Sequence, residues 1–414
     1  MNLIEAYMRY QDLRTSSPKK YGAHLMIQLL GHSLGRESVC RIQPKAVHHN
    51  IYLALMGKSG LTRKTTAQDT ILSPLIPIEN LGTKHFSPEG LLKDLEKQPQ
   101  LLCPLGEFST LLRGIKAGGY VSNFKEIAND LFNCPNTYTK KLKRKSDSYF
   151  LEKPYLSMST TCTEEEFFPN LTPDMLHGGF LPRWIVVKGE TKNRDRGDLD
   201  PIVDELEIKF RTIIKKCYEI FNEKPIIFNL DKNAKKYYNE IITDWINSPE
   251  FENLKPFIAR YQNYLIAYAD IILLSDKIVE ALFTSCTKLT DLSQLTQLTD
   301  QEIDNLSELV NSVYSATEKH IKRAYKILYP SLKYTKEIVK YVDENYYVAK
   351  LNRVIDEFGL PMDYSDAMRR SKLTKTQMKV ALDTLEDRKE LQIIPITFDK
   401  QGTKTKKVLK VYNE

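Results

Sequence analysis

Cysteine is scarce in this sequence, with six in 414 residues, at positions 40, 103, 134, 162, 217 and 286. No two have C-x-x-C spacing and no His sits at ligand distance from a pair of them, so a zinc site is not expected. Long apolar runs are missing as well. The opening MNLIEAYMRYQDL has no signal-peptide core. The greasiest stretch, residues 257–275, carries Arg260, Gln262, Asn263 and Asp270, which argues against a membrane span. These absences fit a protein of the reducing cytoplasm without a membrane partner. No internal repeat or long low-complexity segment organises the chain. Charge of one sign does not dominate either: 60 basic against 53 acidic side chains leave +7, which permits a polyanionic partner without demanding one.

What is present describes a globular protein. Hydrophobic residues make up 42% and charged residues 27%, and the length predicts two to three domains. Residues 3–34 read as two helices broken at Ser16-Ser17-Pro18, followed by a strand candidate at 38–42. The run Asn50-Ile51-Tyr52-Leu53-Ala54-Leu55-Met56 is continuously apolar and closed by glycine, the pattern of a strand buried on both faces of a parallel sheet. A helix is expected to open at Thr65. A second apolar run, 100–105, ends in Gly106-Glu107, although Pro104 is unusual in a central strand. Helices are expected at 108–115 and 123–132, and strands at 155–161 and 184–187. This alternation argues an α/β core.

The polar stretch 191–200 reads as a boundary. Beyond it the pattern is helical to about residue 329, with one short strand at 225–230. From 331 the texture changes: helices at 364–371 and 374–385, the second with a capping-box spacing, precede strands at 391–398 and 408–412. A lysine-rich turn separates those strands, the layout of a winged helix-turn-helix. The expected organisation is an N-terminal helical segment (1–45), an α/β P-loop core (46–190), a helical lid or collar (191–330) and a winged-helix domain (331–414).

The stretch Gly57-Lys58-Ser59-Gly60-Leu61-Thr62-Arg63-Lys64-Thr65-Thr66 joins a buried strand to a helix start. Such a loop turns backbone N–H groups inward, and the helix dipole adds positive potential. Glycines let the chain approach a phosphate, a lysine neutralises it, and a Ser or Thr hydroxyl reaches magnesium. Gly57, Gly60, Lys64 and Thr65 supply those parts in order. The strict pattern G-x-x-x-x-G-K-[ST] fails, because Arg63 stands before Lys64 and the loop is one residue longer. A glycine-rich turn before a basic helix is the plain alternative, and the strand-then-helix context favours the phosphate reading. Hydrolysis also needs acids at the end of a buried strand. Glu107 supplies one, whereas Gly106 stands where a metal-side aspartate is usual, so ATP binding is better supported than fast turnover.

In these segments the chain resembles a family of helicase-like P-loop ATPases of phages, plasmids and integrated elements, often linked to primase-polymerases. The carriers are Ser16-Ser17-Pro18, Asn50-Ile51-Tyr52-Leu53, the loop with Arg63-Lys64-Thr65-Thr66, Gly106-Glu107-Phe108-Ser109, Pro154-Tyr155-Leu156-Ser157 and Gly178-Gly179-Phe180-Leu181-Pro182-Arg183. In that family an Arg before the loop lysine is familiar. The resemblance implies a RecA-like or AAA-type core assembling as a homo-oligomer, as in a hexameric ring, with a primase as partner. It implies that Lys64 and Thr65 hold phosphates and Mg2+, and that Glu107 polarises water. Thr160 or Thr161 would sense the γ-phosphate, and Arg183 would act as an arginine finger or sensor. Strand packing for the threonines and a surface position for Arg183 are the plain alternatives.

Two regions are candidates for DNA contact. Residues 140–145 lie between the second and third core strands, with Lys143, Arg144 and Lys145 as phosphate contacts and Tyr138 or Tyr149 as stacking partners. At the winged end, Lys375 and Lys379 begin the second helix, near Gln377, and Lys404 and Lys406 lie in the wing with Lys400 and Lys407. The functional expectation is an ATP-dependent DNA motor, a replicative helicase or initiator of a mobile element. The alternative is a nucleotide-switched DNA-binding regulator that hydrolyses little. A small-molecule kinase would leave the winged end without a role.

Overall fold

The structure, a computed structural model, describes every residue except 43–44, 85–86, 119, 141–147, 191–201, 284–288, 312, 361, 389, 398–404 and 412–414. Two compact units divide the chain, Met1–Lys336 and Glu337–Glu414. The segments expected at 1–45, 46–190 and 191–330 all fall in the first unit.

Helices α1 (Leu3–Arg14) and α2 (Lys19–Ser33) open the first unit on either side of the expected break. Strands β1 (Val39–Ile42), β2 (Lys45–Val47) and β3 (Tyr52–Met56) follow. Then come α3 (Pro88–Lys97), β4 (Gln100–Glu107), α4 (Phe108–Ala117) and α5 (Asn123–Phe132). An antiparallel pair, β5 (Thr137–Lys140) and β6 (Tyr149–Glu152), leads into β7 (Tyr155–Cys162). Short helices α6 (Glu164–Phe167) and α7 (Pro173–His177) precede β8 (Trp184–Lys188). Next are α8 (Ile202–Glu223), β9 (Ile227–Leu230), α9 (Lys232–Asn247), the long α10 (Lys255–Leu282), the short α11 (Ser293–Thr296) and α12 (Asp300–Asp304), and α13 (Glu318–Phe358).

The main sheet has the order β4-β7-β3-β8, and every pairing in it is parallel. The fold is therefore mixed α/β. All five residues of β3 and all eight of β7 are buried; β3 reads as an unbroken apolar run for that reason, whereas β7 buries Ser157, Ser159, Thr160 and Thr161 among its apolar residues. Pro104 is tolerated because β4 is the edge strand, flanked on its outer side only by a one-residue bridge, Leu81 to Leu102. A second sheet has the order β10-β9-β1-β2, where β10 (Tyr314–Ala316) is a three-residue strand that the sequence pattern does not announce. Its strands come from both sides of the main sheet in sequence. The N-terminal segment and the helical middle are thus stitched together by backbone pairing.

Helix α10 is buried nearly all round because it lies inside the unit, and its one buried acid has a partner. Asp270 Oδ2 lies 3.1 Å from His49 Nε2, with both side chains fully buried. Burial pushes the Asp270 carboxyl up, and His49 opposes that shift. Among the described residues no helix is long and apolar enough to cross a membrane. The five described cysteines are all buried and free.

In the second unit, β11 (Met362–Asp363), α14 (Tyr364–Ser371), α15 (Lys375–Asp387), β12 (Leu391–Thr397) and β13 (Thr405–Val411) follow the two-helix, two-strand expectation. The added β11 completes a three-stranded antiparallel sheet of order β11-β13-β12. The capping box is present: Thr374 Oγ1 accepts from the Gln377 amide at 3.3 Å and Gln377 Oε1 accepts from the Thr374 amide at 3.0 Å. Met378, Ala381, Leu382 and Leu385 of α15 pack with Leu391 and Leu409.

Removing the Asp270 carboxylate leaves a buried imidazole without its partner. Asp270→Ala is expected to lower unfolding free energy by about 3 kcal/mol, read from the midpoint of urea denaturation.

Candidate functional site

In an open parallel sheet the carboxyl ends of the strands form one edge, where side chains from separate connections converge. Here that edge gathers the loop after β3, Glu107 at the end of β4, Cys162 at the end of β7 and Lys188 at the end of β8.

The loop is anchored at its root. The Gly57 amide donates to the Cys162 carbonyl at 3.2 Å, and the Met56 carbonyl accepts from the Gly189 amide at 2.7 Å and the Tyr21 hydroxyl at 2.5 Å. Thr62 donates through its amide (3.4 Å) and its Oγ1 (3.1 Å) to the Lys58 carbonyl, closing the loop on itself. A Cβ at Gly57 would lie 2.5 Å from Thr62 Oγ1 and 2.8 Å from the Tyr21 oxygen, so only glycine fits there. Lys58, Ser59, Gly60, Leu61, Arg63 and Thr65 are exposed. Among the described residues the amides of Lys58, Ser59, Gly60 and Leu61 donate to nothing within the protein.

Arg63 has φ +48°, a left-handed conformation that costs a side-chain-bearing residue roughly 1–2 kcal/mol and that glycine adopts freely. The standard motif keeps glycine at this position before the lysine. The sequence departure is therefore one of residue and not of backbone shape. The helix after the loop departs too: Thr66–Leu72 is a π-helix, with Ser73 N–H bonded to the Gln68 carbonyl. Gln68 is buried and its Nε2 donates to the Leu105 carbonyl at 2.6 Å, pinning this wide turn to β4.

Lys64 is only 6% exposed, and it makes no hydrogen bond or ion pair among the described residues. The nearest opposing charge that it feels is Glu107. The Glu107 side chain is open to solvent, yet the protein around its carboxyl pushes its pKa up; Lys64 opposes that shift and Glu166 adds to it.

Glu166 is the functional candidate that sequence reasoning missed. Carboxylate oxygens of Glu107 and Glu166 and the Cys162 sulfur lie within 4.8 Å of one another. Ser109 Oγ donates to Glu166 Oε2 at 3.3 Å. Burial raises the Cys162 thiol to about 11, which keeps it protonated. The run Thr163-Glu164-Glu165-Glu166 carried no motif, and only the fold turns its last member toward Glu107. Glu164 is instead neutralised by Lys188 at 2.8 Å and accepts from the Tyr334 hydroxyl at 2.7 Å.

Thr160 and Thr161 are buried on β7, the strand between the loop strand and the Glu107 strand. Thr160 Oγ1 donates to the Gly106 carbonyl at 2.6 Å, and Thr161 pairs with Glu107 across a register shift in β4. Thr160, Gly106 and Glu107 share a cleft of about 310 Å3 with Lys84 and Thr110.

Arg183 is not brought to this edge. It precedes β8, where Tyr52 pairs with Trp184, so the length of a strand, roughly 13 Å, separates it from the loop root. Arg183 is buried, its guanidinium donates to the Gly179 carbonyl at 2.5 Å and lies 5.7 Å from the Phe132 ring centre. That position does not suit a sensor within this site; the arginine braces the opposite end of the sheet.

Lys143, Arg144 and Lys145 lie outside the described residues, bracketed by the antiparallel pair β5 and β6. Lys375 and Lys379 are exposed on α15. Lys406 lies on β13, opposite Ile396, and Lys404 and Lys400 are outside the described residues. No protein-family model matches the sequence, and no curated protein matches it either.

Gly57→Ala tests the loop geometry, since Thr62 and Tyr21 are both tethered and cannot step aside freely. It is expected to destabilise the protein by roughly 1–3 kcal/mol, measured by thermal or denaturant unfolding.

Proposed function

We propose that this chain is a P-loop ATPase that acts on DNA, with ATP held by the loop Gly57–Thr66. One observation carries the reading: a buried lysine without an acid partner sits at the start of the helix after the loop. An ammonium without an acid partner attracts a phosphate group, and the unbonded loop amides and the helix start add to the same attraction.

The residues fit the rest of the ligand. Lys64 meets the β- and γ-phosphates, and Gly57 lets the chain come close. Magnesium, when bound with ATP, supplies charge neutralisation at those phosphates and takes hard oxygen donors, which Thr65, Glu107 and Glu166 offer. The protonated Cys162 thiol is no such donor. For hydrolysis, Glu107 takes the proton of a water that attacks the γ-phosphorus as the bond to the bridging oxygen of ADP breaks. Its raised pKa suits a base. Thr160, between the loop strand and the Glu107 strand, is the polar group next to that reaction.

DNA is the partner supported by Lys375 and Lys379 on the exposed face of α15, in a unit whose two helices and antiparallel sheet we read as a winged helix. The β5–β6 pair brackets the second basic run, where Lys143, Arg144 and Lys145 would face DNA in an oligomeric ring. Membership in the helicase-like family of mobile elements, a hexameric assembly and a primase partner belong to this proposal on the strength of the sequence motifs. A second reading, a nucleotide-switched DNA-binding regulator, is favoured by Gly106 at the usual metal-side position.

The two readings separate on ATP turnover measured with and without single-stranded DNA. The motor reading expects stimulation by DNA, loss of ATP binding by about tenfold to a hundredfold in Lys64→Ala, and retained binding without turnover in Glu107→Gln. Because Glu107 must be ionised, turnover falls as pH drops through a value above the ordinary 4.5. ATP-dependent assembly without DNA-stimulated turnover selects the switch. Unaltered ATP binding in Lys64→Ala removes both.

A further inference from the structure

At the amino end of the main sheet, away from the loop, the first unit has a cavity of about 730 Å3 between the β1–β2 hairpin, the end of α5, α9 and α10. That volume lies in the range of small-ligand sites. Arg260 lines it, half-buried, with no hydrogen bond or ion pair among the described residues. Arg183 stands close enough that the second cation, after burial itself, depresses its pKa; Asp130 and two tyrosines oppose the shift. Arg183 Nε is buried without an acceptor.

The rest of the lining is of two kinds. Phe132 and Tyr238 present aromatic rings. Asn263 has no hydrogen-bond partner among the described residues, and Asn133 spends its Nδ2 on the Asn129 carbonyl at 3.1 Å, leaving its oxygen available. An unpaired guanidinium suits a phosphate, flat rings suit the face of a base, and carboxamides suit a base edge. A purely apolar ligand would leave the arginine and the amides unsatisfied, and a bare inorganic anion would leave most of the volume unfilled.

We propose that this cavity is a second site, taking a phosphorylated nucleotide either free or as one unit of a single strand. It lies a strand length from Lys64 and does not depend on the ATP reading of the loop. The site gives the half-buried Arg260 a counter-charge, the ligand's phosphate. Substrate nucleic acid reaching it would lie across the sheet from the ATP, so the sheet itself would link the two.

The test uses the full chain carrying Lys64→Ala, so that the loop site is silent. Azido-adenosine monophosphate and a short bromouridine-containing oligonucleotide are cross-linked by ultraviolet light and the adducts mapped by mass spectrometry. Adducts on peptides containing Phe132 or Tyr238 are expected, weakened about tenfold by Arg260→Glu. Labelling by the mononucleotide identifies a free nucleotide, and labelling by the oligonucleotide alone identifies a strand. Asn263→Ala, a milder change on the same helix, is expected to lower labelling as well. Adducts absent from both peptides, or labelling unchanged in folded Arg260→Glu and Asn263→Ala proteins, would overturn the proposal.

Discussion

The side chain of Lys64 packs into the protein beside the loop, and its ammonium makes no hydrogen bond or ion pair among the described residues. Folding alone gives no reason to place a charge there, because a methionine of similar length would pack the same stem. The neighbouring residues repeat the pattern. Arg63 adopts a left-handed backbone, the helix behind it is a π-turn, and the loop amides find no internal acceptor. Backbone strain and exposed, unbonded amides gathered at one strand end mark a site organised around something outside the chain.

The parallel sheet determines what that site can include. Side chains at the carboxyl ends of β3, β4 and β7 meet there, and anything that precedes a strand is sent to the other edge. Glu166 is gained by this rule, as α6 follows β7 and turns back toward Glu107. Arg183 is lost by it. The two edges consequently hold different chemistry: mixed lysine and carboxylate at one, unpaired arginine and carboxamide at the other.

Much of this was legible in residues whose pattern is local. The apolar run before Gly57 is a strand because it is buried on both faces, and continuous apolarity reports that directly. The capping box at Thr374 and Gln377 needs only three residues of spacing. Pro104 was harder to place, since an edge strand tolerates proline and sequence alone does not say which strand is at the edge. What depends on distant pairing could not be read. β10 joins a sheet whose other members lie more than eighty residues away, and the meeting of Glu107 with Glu166 depends on β7 lying beside β4. Arg183 was legible in principle: it precedes a parallel strand, so its edge follows from the strand order once that is known.

Removing the charge of Lys64 while keeping its length leaves the stem packed and takes away the attraction for a phosphate. The most direct measurement is thermal unfolding of wild type and Lys64→Met, each with and without ATP and magnesium. The account predicts that nucleotide-free Lys64→Met unfolds at a temperature no lower than wild type, and that only wild type is stabilised by adding ATP and magnesium. A folded Lys64→Met protein that still shows the full nucleotide-induced shift would contradict it.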